Sequence, residues 1–138
     1  MPFITLQHTG SSDPDVSARL ADALLDLSSR ILRKDSRRTS VLVRPVPSAQ
    51  WFIAGESLAD SGLTAFRLEV TVTDETNTRD EKIRFQREAF AMLCRLLGTV
   101  HPHSNVHVID CRATAYGYGG VTQEEHFGRQ RDAVAAAH

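Results

Sequence analysis

Residues 3–8 alternate with period two: Ile4 and Leu6 fall on one face of an extended segment, Phe3, Thr5 and Gln7 on the other, which predicts a strand. Gly10, Ser11, Ser12 and Asp13 then offer turn and capping chemistry, and Pro14 sits at a favoured first-turn position. Val16, Leu20, Ala23, Leu24, Leu27 and Ile31 recur at three- and four-residue steps, predicting an amphipathic helix over about residues 14–33. The β-rich run TSVLVRPV predicts a second strand, stopped by Pro45 and Pro47, which cannot donate to a sheet ladder. The same order then recurs. FRLEVTVTDETNT alternates as a strand, DEKIRFQREAFAMLCRLLG has helical periodicity, and NVHVIDC predicts a further strand. A shift of 66 residues lays Leu24, Leu27 and Ile31 on Phe90, Leu93 and Leu97; a shift of 65 lays TSVLV on SNVHV and WFIAG on YGYGG. Pattern and spacing carry this repeat more than identities do.

Two right-handed β-α-β units imply an α+β fold: a four-stranded mixed sheet with both helices on one face. The opposite face would be bare, which favours an oligomer, and a trimer is expected. Residues 1–120 are expected to form one domain, with units at about 2–57 and 65–120. Residues 121–138 form a C-terminal extension whose one large apolar anchor is Phe127, expected as a short helix or frayed segment reaching toward a neighbouring subunit.

Composition narrows the function. A chain of 138 residues, 41% hydrophobic and 24% charged, is sized for one core. Sixteen Lys plus Arg against seventeen Asp plus Glu leave a formal charge of -1, so no global positive field exists to hold nucleic acid. The apolar runs are far shorter than the roughly 20 residues a membrane span needs, and no basic-then-apolar leader opens the chain. A cytoplasmic protein without membrane partners is expected. Cys94 and Cys111 lack CxxC or Cys/His ligand spacing and are expected to be reduced core residues.

Pro2 is the residue with the most chemistry to offer. If Met1 is removed, Pro2 begins the chain and its nitrogen is a secondary amine rather than an amide. An α-amino group titrates near pH 8, and apolar cover lowers that value, so the amine becomes a competent base at neutral pH. Arg44, at the end of the second predicted strand, could grip a carboxylate with its planar fork. Arg33, Lys34, Arg37 and Arg38 are placed to complement a helix C-terminus. His107 projects from the opposite face of its strand to Val106 and Val108, where an imidazole could donate to an enolate oxygen or bind a carboxylate. His101 and His103 lack a matching acidic or Cys ligand, so a loop and no metal site is expected. YGYGG lacks a GK[ST] ending and is expected as a hairpin-like element whose glycines allow close backbone approach at a subunit contact.

MPFITLQ, the two units of this spacing and the loop WFIAGE together resemble the tautomerase superfamily over roughly residues 2–120. The double-unit length is similar to the macrophage migration inhibitory factor and carboxymethyl-hydroxymuconate isomerase branches, and each half is similar to 4-oxalocrotonate tautomerase. The resemblance implies a trimer with interface sites, built around an N-terminal proline and needing no cofactor. Pro2 then matches the catalytic base. Lys34 falls near a substrate-binding lysine, Trp51 on an aromatic pocket wall with Tyr116 as its second-half counterpart, and His107 where one branch has a pocket tyrosine from a neighbouring subunit. Ser11 and Leu42 stand in place of the two arginines that grip a dicarboxylate, and Asn77 in place of an arginine of dehalogenase-like members. The implied activity is tautomerisation of a small enolisable 2-oxo acid or aryl pyruvate. The alternatives are hydratase, decarboxylase or dehalogenase-type chemistry at the same site, with Glu124 or Glu125 folding back to orient water or a carboxylate, and a non-catalytic trimeric binding protein.

Overall fold

Strand β1 (Phe3–His8) buries Ile4, Leu6 and His8 and leaves the intervening side chains at least partly accessible, as the period-two pattern requires. The computed structural model describes residues 2–137. Helix α1 (Pro14–Leu32) begins where the Asp13 carboxylate accepts the Asp15 N–H at 2.9 Å and Pro14 occupies the first turn. It ends at Arg33, whose left-handed φ of 57° turns the chain toward β2 (Ser40–Pro45). The hairpin β3 (Phe52–Ile53) and β4 (Glu56–Ser57) turns through Ala54 and Gly55, both at positive φ. Then β5 (Phe66–Thr73) and helix α2 (Arg79–Leu97) repeat the scheme. Thr78 and Glu81 form a reciprocal capping box at the start of α2. Strand β6 (Asn105–Cys111), a second hairpin of β7 (Gly117–Tyr118) and β8 (Val121–Thr122), and helix α3 (Gln123–Ala137) complete the chain.

The main sheet has the order β2-β1-β5-β6, with β1 and β2 parallel, β5 and β6 parallel, and the units joined by the antiparallel β1–β5 pair. This is the expected α+β fold of two β-α-β units. Leu20, Leu24, Leu27, Ile31 and Leu32 of α1 and Phe85, Ala89 and Leu93 of α2 pack with Ile4, Leu6, Leu68, Val70 and Val72 in one core. Each large side chain so buried contributes about 1.5–3 kcal/mol. Both helices therefore lie on one face.

On the other face the register builds rows across all four strands: Ser40, Phe3, Thr71 and Ile109, then Leu42, Thr5, Glu69 and His107, then Arg44, Gln7, Arg67 and Asn105. Phe3, Leu42 and Ile109 are 37–44% exposed there.

Several expectations change. The extension is a fifteen-residue helix, not a short or frayed one, beginning directly after β8. Cys94 and Cys111 are free but only half-buried, because they lie at the margins of the core. Within the YGYGG hairpin itself the backbone approach is already close, since a Cβ on Gly117 would lie 1.9 Å from the Val121 carbonyl oxygen. His101 and His103 do form a loop, in which the His103 N–H donates to His101 Nδ1 at 3.0 Å, and no metal-ligating cluster occurs among the described residues. No described helix is long and apolar enough to cross a membrane.

Candidate active site

Pro2 precedes β1 with the same parity as Ile4 and Leu6, so it points to the helical side of the sheet and is buried. It opens onto a cavity of about 190 Å³ lined by Pro2, Arg33, Lys34, Asp35, Arg38, Thr73, Thr76, Gln123, Phe127 and Gln130. Three parts of the chain meet here: the turn after α1, the end of β5, and the first two turns of α3. The corresponding residue before β5 is Ala65, so each chain has one such proline.

Three cationic side chains and one acidic one line the cavity, giving it a positive rim. They are not equivalent. Arg33 is spent on Glu81, which it holds through Nε at 2.6 Å and Nη2 at 3.2 Å, lowering the Glu81 carboxyl to about 2. Arg38 is tethered more loosely, its Nε 3.8 Å from Asp35. Lys34 is half-buried, and desolvation first, then the Arg33 charge, brings its ammonium below the usual lysine value. Its Nζ donates to Thr76 Oγ1 at 2.9 Å, and that hydroxyl donates to the Thr73 carbonyl at 2.6 Å. Among the described residues no carboxylate is hydrogen-bonded to Lys34, which leaves its charge available to an incoming anion.

The far wall is built by α3. The Gln123 N–H donates to the Tyr116 carbonyl at 2.8 Å and the Glu124 N–H to the Ala113 carbonyl at 2.9 Å. His126 stacks on Tyr118 with ring centroids 3.8 Å apart and planes 9° from parallel. Tyr116 itself reaches the cavity wall through a short hydrogen bond between its phenol and the buried Thr73 hydroxyl; burial raises the phenol above its ordinary value, so it remains protonated. Gln123 is 5% exposed, and its Oε1 has no hydrogen-bond partner among the described residues.

Of the residues expected from the sequence, Pro2 and Lys34 line this cavity and Tyr116 stands behind Thr73. Arg44 and His107 are exposed on the open sheet face, and Trp51 is half-buried at the start of the first hairpin; within one chain none of these three lines the cavity. Glu124 is exposed. The Glu125 carboxylate is taken up by Thr122, accepting its N–H at 3.0 Å and its hydroxyl at 3.1 Å, so neither acid folds back onto the pocket. Asn77 is structural, its amide donating to the Leu32 carbonyl at 2.9 Å. Thr73, Thr76, Gln123 and Phe127 were not singled out as site residues by their sequence pattern. Only the apolar anchor at Phe127 hinted that the extension docks.

The family described as "Tautomerase enzyme" matches residues 2–61, which is the first β-α-β unit with its hairpin. No curated protein sequence matches the chain. Among solved structures, Pt0534 inactivated by 2-oxo-3-pentynoate aligns at 13% identity with a TM-score of 0.78, covering 90% of this chain and 98% of that one. A fused 4-OT solved as a symmetric trimer aligns at 16% identity with a TM-score of 0.77, over 88% and 96% of the two chains. Macrophage migration inhibitory factor from Oncomelania hupensis aligns at 15% identity with a TM-score of 0.73, over 99% and 93%. The first unit thus carries the family match, and over its whole length the chain shares the fold of these solved structures.

Proposed function

We propose that the chain, once Met1 is removed, is a cofactor-independent tautomerase of a small 2-oxo acid or aryl pyruvate, with the Pro2 nitrogen as its base. The observation that carries this reading is the placement of Pro2: buried, and lining the same cavity as a half-buried lysine that has no carboxylate hydrogen-bonded to it among the described residues. Burial favours the neutral amine, which can take a proton from the enol hydroxyl or from C3 and return it at the other position. Lys34 binds the substrate carboxylate and offsets the charge that develops on the enolate. Thr76 fixes the direction of the ammonium. Ser11 and Leu42, standing in place of the two arginines that grip a dicarboxylate, favour a monocarboxylate. The inactivation of Pt0534 by a 2-oxo acid agrees with that substrate class.

The assembly belongs to the same proposal. The bare sheet face with its exposed Phe3, Leu42 and Ile109 favours burial against further copies, and the trimeric fused 4-OT supplies the precedent. Arg44, Trp51 and His107, which stand away from the cavity of their own chain, are proposed to reach a site across that contact.

Met1 lies outside the described residues, so the test begins with the intact mass of the purified protein. Enol-to-keto conversion of phenylpyruvate is then followed for the protein starting at Pro2 and for one carrying an extra residue before it. The extension turns the amine into an amide and should abolish nearly all activity. Pro2→Ala keeps a primary amine and should lower the rate substantially without removing it. Full activity in the N-blocked protein would exclude Pro2 as the base. An inactive protein with a free Pro2 would favour the non-catalytic binding role.

A further inference from the structure

We infer that the Gln123 carboxamide is a substrate-contacting group that binds the 2-oxygen of the substrate in both its keto and its enol form. This inference rests on the 2-oxo acid reading of the same pocket. Gln123 is 5% exposed, it lines a cavity with Pro2, Lys34, Thr73 and Thr76, and its buried Oε1 has no hydrogen-bond partner among the described residues. A buried amide left without a partner is destabilising, so an amide here calls for a compensating contact from whatever fills the cavity.

The repeat makes the point sharper. The two hairpins superpose at a shift of 65 residues, and so do the bonds that close them: the Leu58 N–H donates to the Trp51 carbonyl at 3.0 Å as the Gln123 N–H donates to the Tyr116 carbonyl at 2.8 Å. Leu58, in the position equivalent to Gln123, is 3% exposed. The local architecture therefore accepts an apolar side chain at this position. In the second unit, beside Pro2, it carries an amide.

Chemistry explains why an amide suits this place. During tautomerisation the 2-oxygen changes from a carbonyl, which only accepts hydrogen bonds, to a hydroxyl, which also donates. A carboxylate could only accept from the hydroxyl and would repel the carbonyl, whereas an ammonium could donate to either form but never accept the hydroxyl proton. A carboxamide presents an acceptor and a donor on one carbon and can serve both. It adds no charge, so it leaves Lys34 free for the carboxylate and does not raise the proton affinity of Pro2 as an anion would.

The test compares two acids that differ at the 2-position, phenylpyruvate and 3-phenylpropanoate, by titration calorimetry against the protein beginning at Pro2. The unmodified protein should prefer phenylpyruvate by about tenfold or more, the scale of one well-formed buried hydrogen bond. Gln123→Leu, which installs the residue of the first unit, should bring that preference close to one while leaving affinity for 3-phenylpropanoate unchanged. Gln123→Met provides the same test with an unbranched side chain should the leucine variant fold poorly. An unchanged preference in a folded variant, or no preference in the unmodified protein, would overturn the role of Gln123 while leaving phenylpyruvate turnover by Pro2 standing. Loss of binding and turnover of phenylpyruvate in the unmodified, Met1-free protein would instead bring down the tautomerase reading, and this inference with it.

Discussion

Gly117→Ala should disable the site while sparing the fold. The added Cβ would lie 1.9 Å from the Val121 carbonyl oxygen and 2.7 Å from Thr122 Cα and the Val121 carbonyl carbon, all backbone atoms that cannot rotate aside. Ordinary contact begins near 3.4 Å, so β8 must retreat from β7 by about 1.5 Å. Gln123 follows β8 directly and is bonded to Tyr116, the residue before Gly117, so the displacement passes into the start of α3. The main core includes no residue beyond Val108 and is left intact. A misplacement of about 1 Å in a positioning element can cost about a hundredfold in rate, and kcat/KM for phenylpyruvate ketonisation should fall on that order. Thermal unfolding followed by circular dichroism should move by only a few degrees, the size of a ΔΔG near 1 kcal/mol in a domain of this length. Gly119→Ala is the control: its φ of 63° strains an alanine, but no atom lies within 4 Å of the new Cβ, so the turn suffers without moving β8. The reasoning fails if Gly117→Ala retains kcat/KM within a few-fold of the unmodified protein, or if Gly119→Ala is equally damaging.

Two further outcomes follow from the fold. His8 is fully buried, its Nδ1 accepts the Gly10 N–H at 3.0 Å, its Nε2 has no partner among the described residues, and burial lowers its pKa below the ordinary 6.5. The unfolded chain therefore binds the extra proton first: stability should be full above about pH 6.5 and fall as pH drops from there toward the depressed folded value, and His8→Met should flatten that slope in urea titrations. Sedimentation equilibrium should return three times the 15.3 kDa chain mass, since a trimer would cover Phe3, Leu42 and Ile109; a clean monomer would refute the assembly.

The framework was legible because it is written in periodicity. Alternation at Ile4 and Leu6 and the stripe from Leu20 to Ile31 depend only on which face meets the core, and the repeat restated both. Lys34 was legible for a local reason, lying just beyond a helix end whose position the stripe fixed. The rest of the cavity was not, because it is assembled by long-range docking. Thr73 and Thr76 look like ordinary strand-end residues until Tyr116 and Lys34 bond to them. The weak amphipathy of the extension concealed a helix whose attachment lies in backbone bonds to Ala113 and Tyr116 and in the His126–Tyr118 stack. The acids at 124 and 125 drew attention because charge is conspicuous in a sequence. Glu125 instead serves Thr122, as local geometry at a helix start favours.

Joining two units in one chain removes the requirement that they be alike, and the positions where they differ converge on the cavity. Pro2 precedes β1, whereas Ala65 precedes β5. After the helices, Lys34 corresponds to Thr99, and after the hairpins Leu58 corresponds to Gln123. The first hairpin runs into a single short turn at Leu58–Asp60, whereas the second runs into α3 and brings Phe127 and Gln130 to the cavity. Both units share the same apolar stripes because both must cover the sheet, so core packing holds them similar. No such constraint explains a lone proline, a half-buried lysine and an unpaired buried amide gathered from three separate segments. Their convergence is what a binding site requires and what the architecture alone does not.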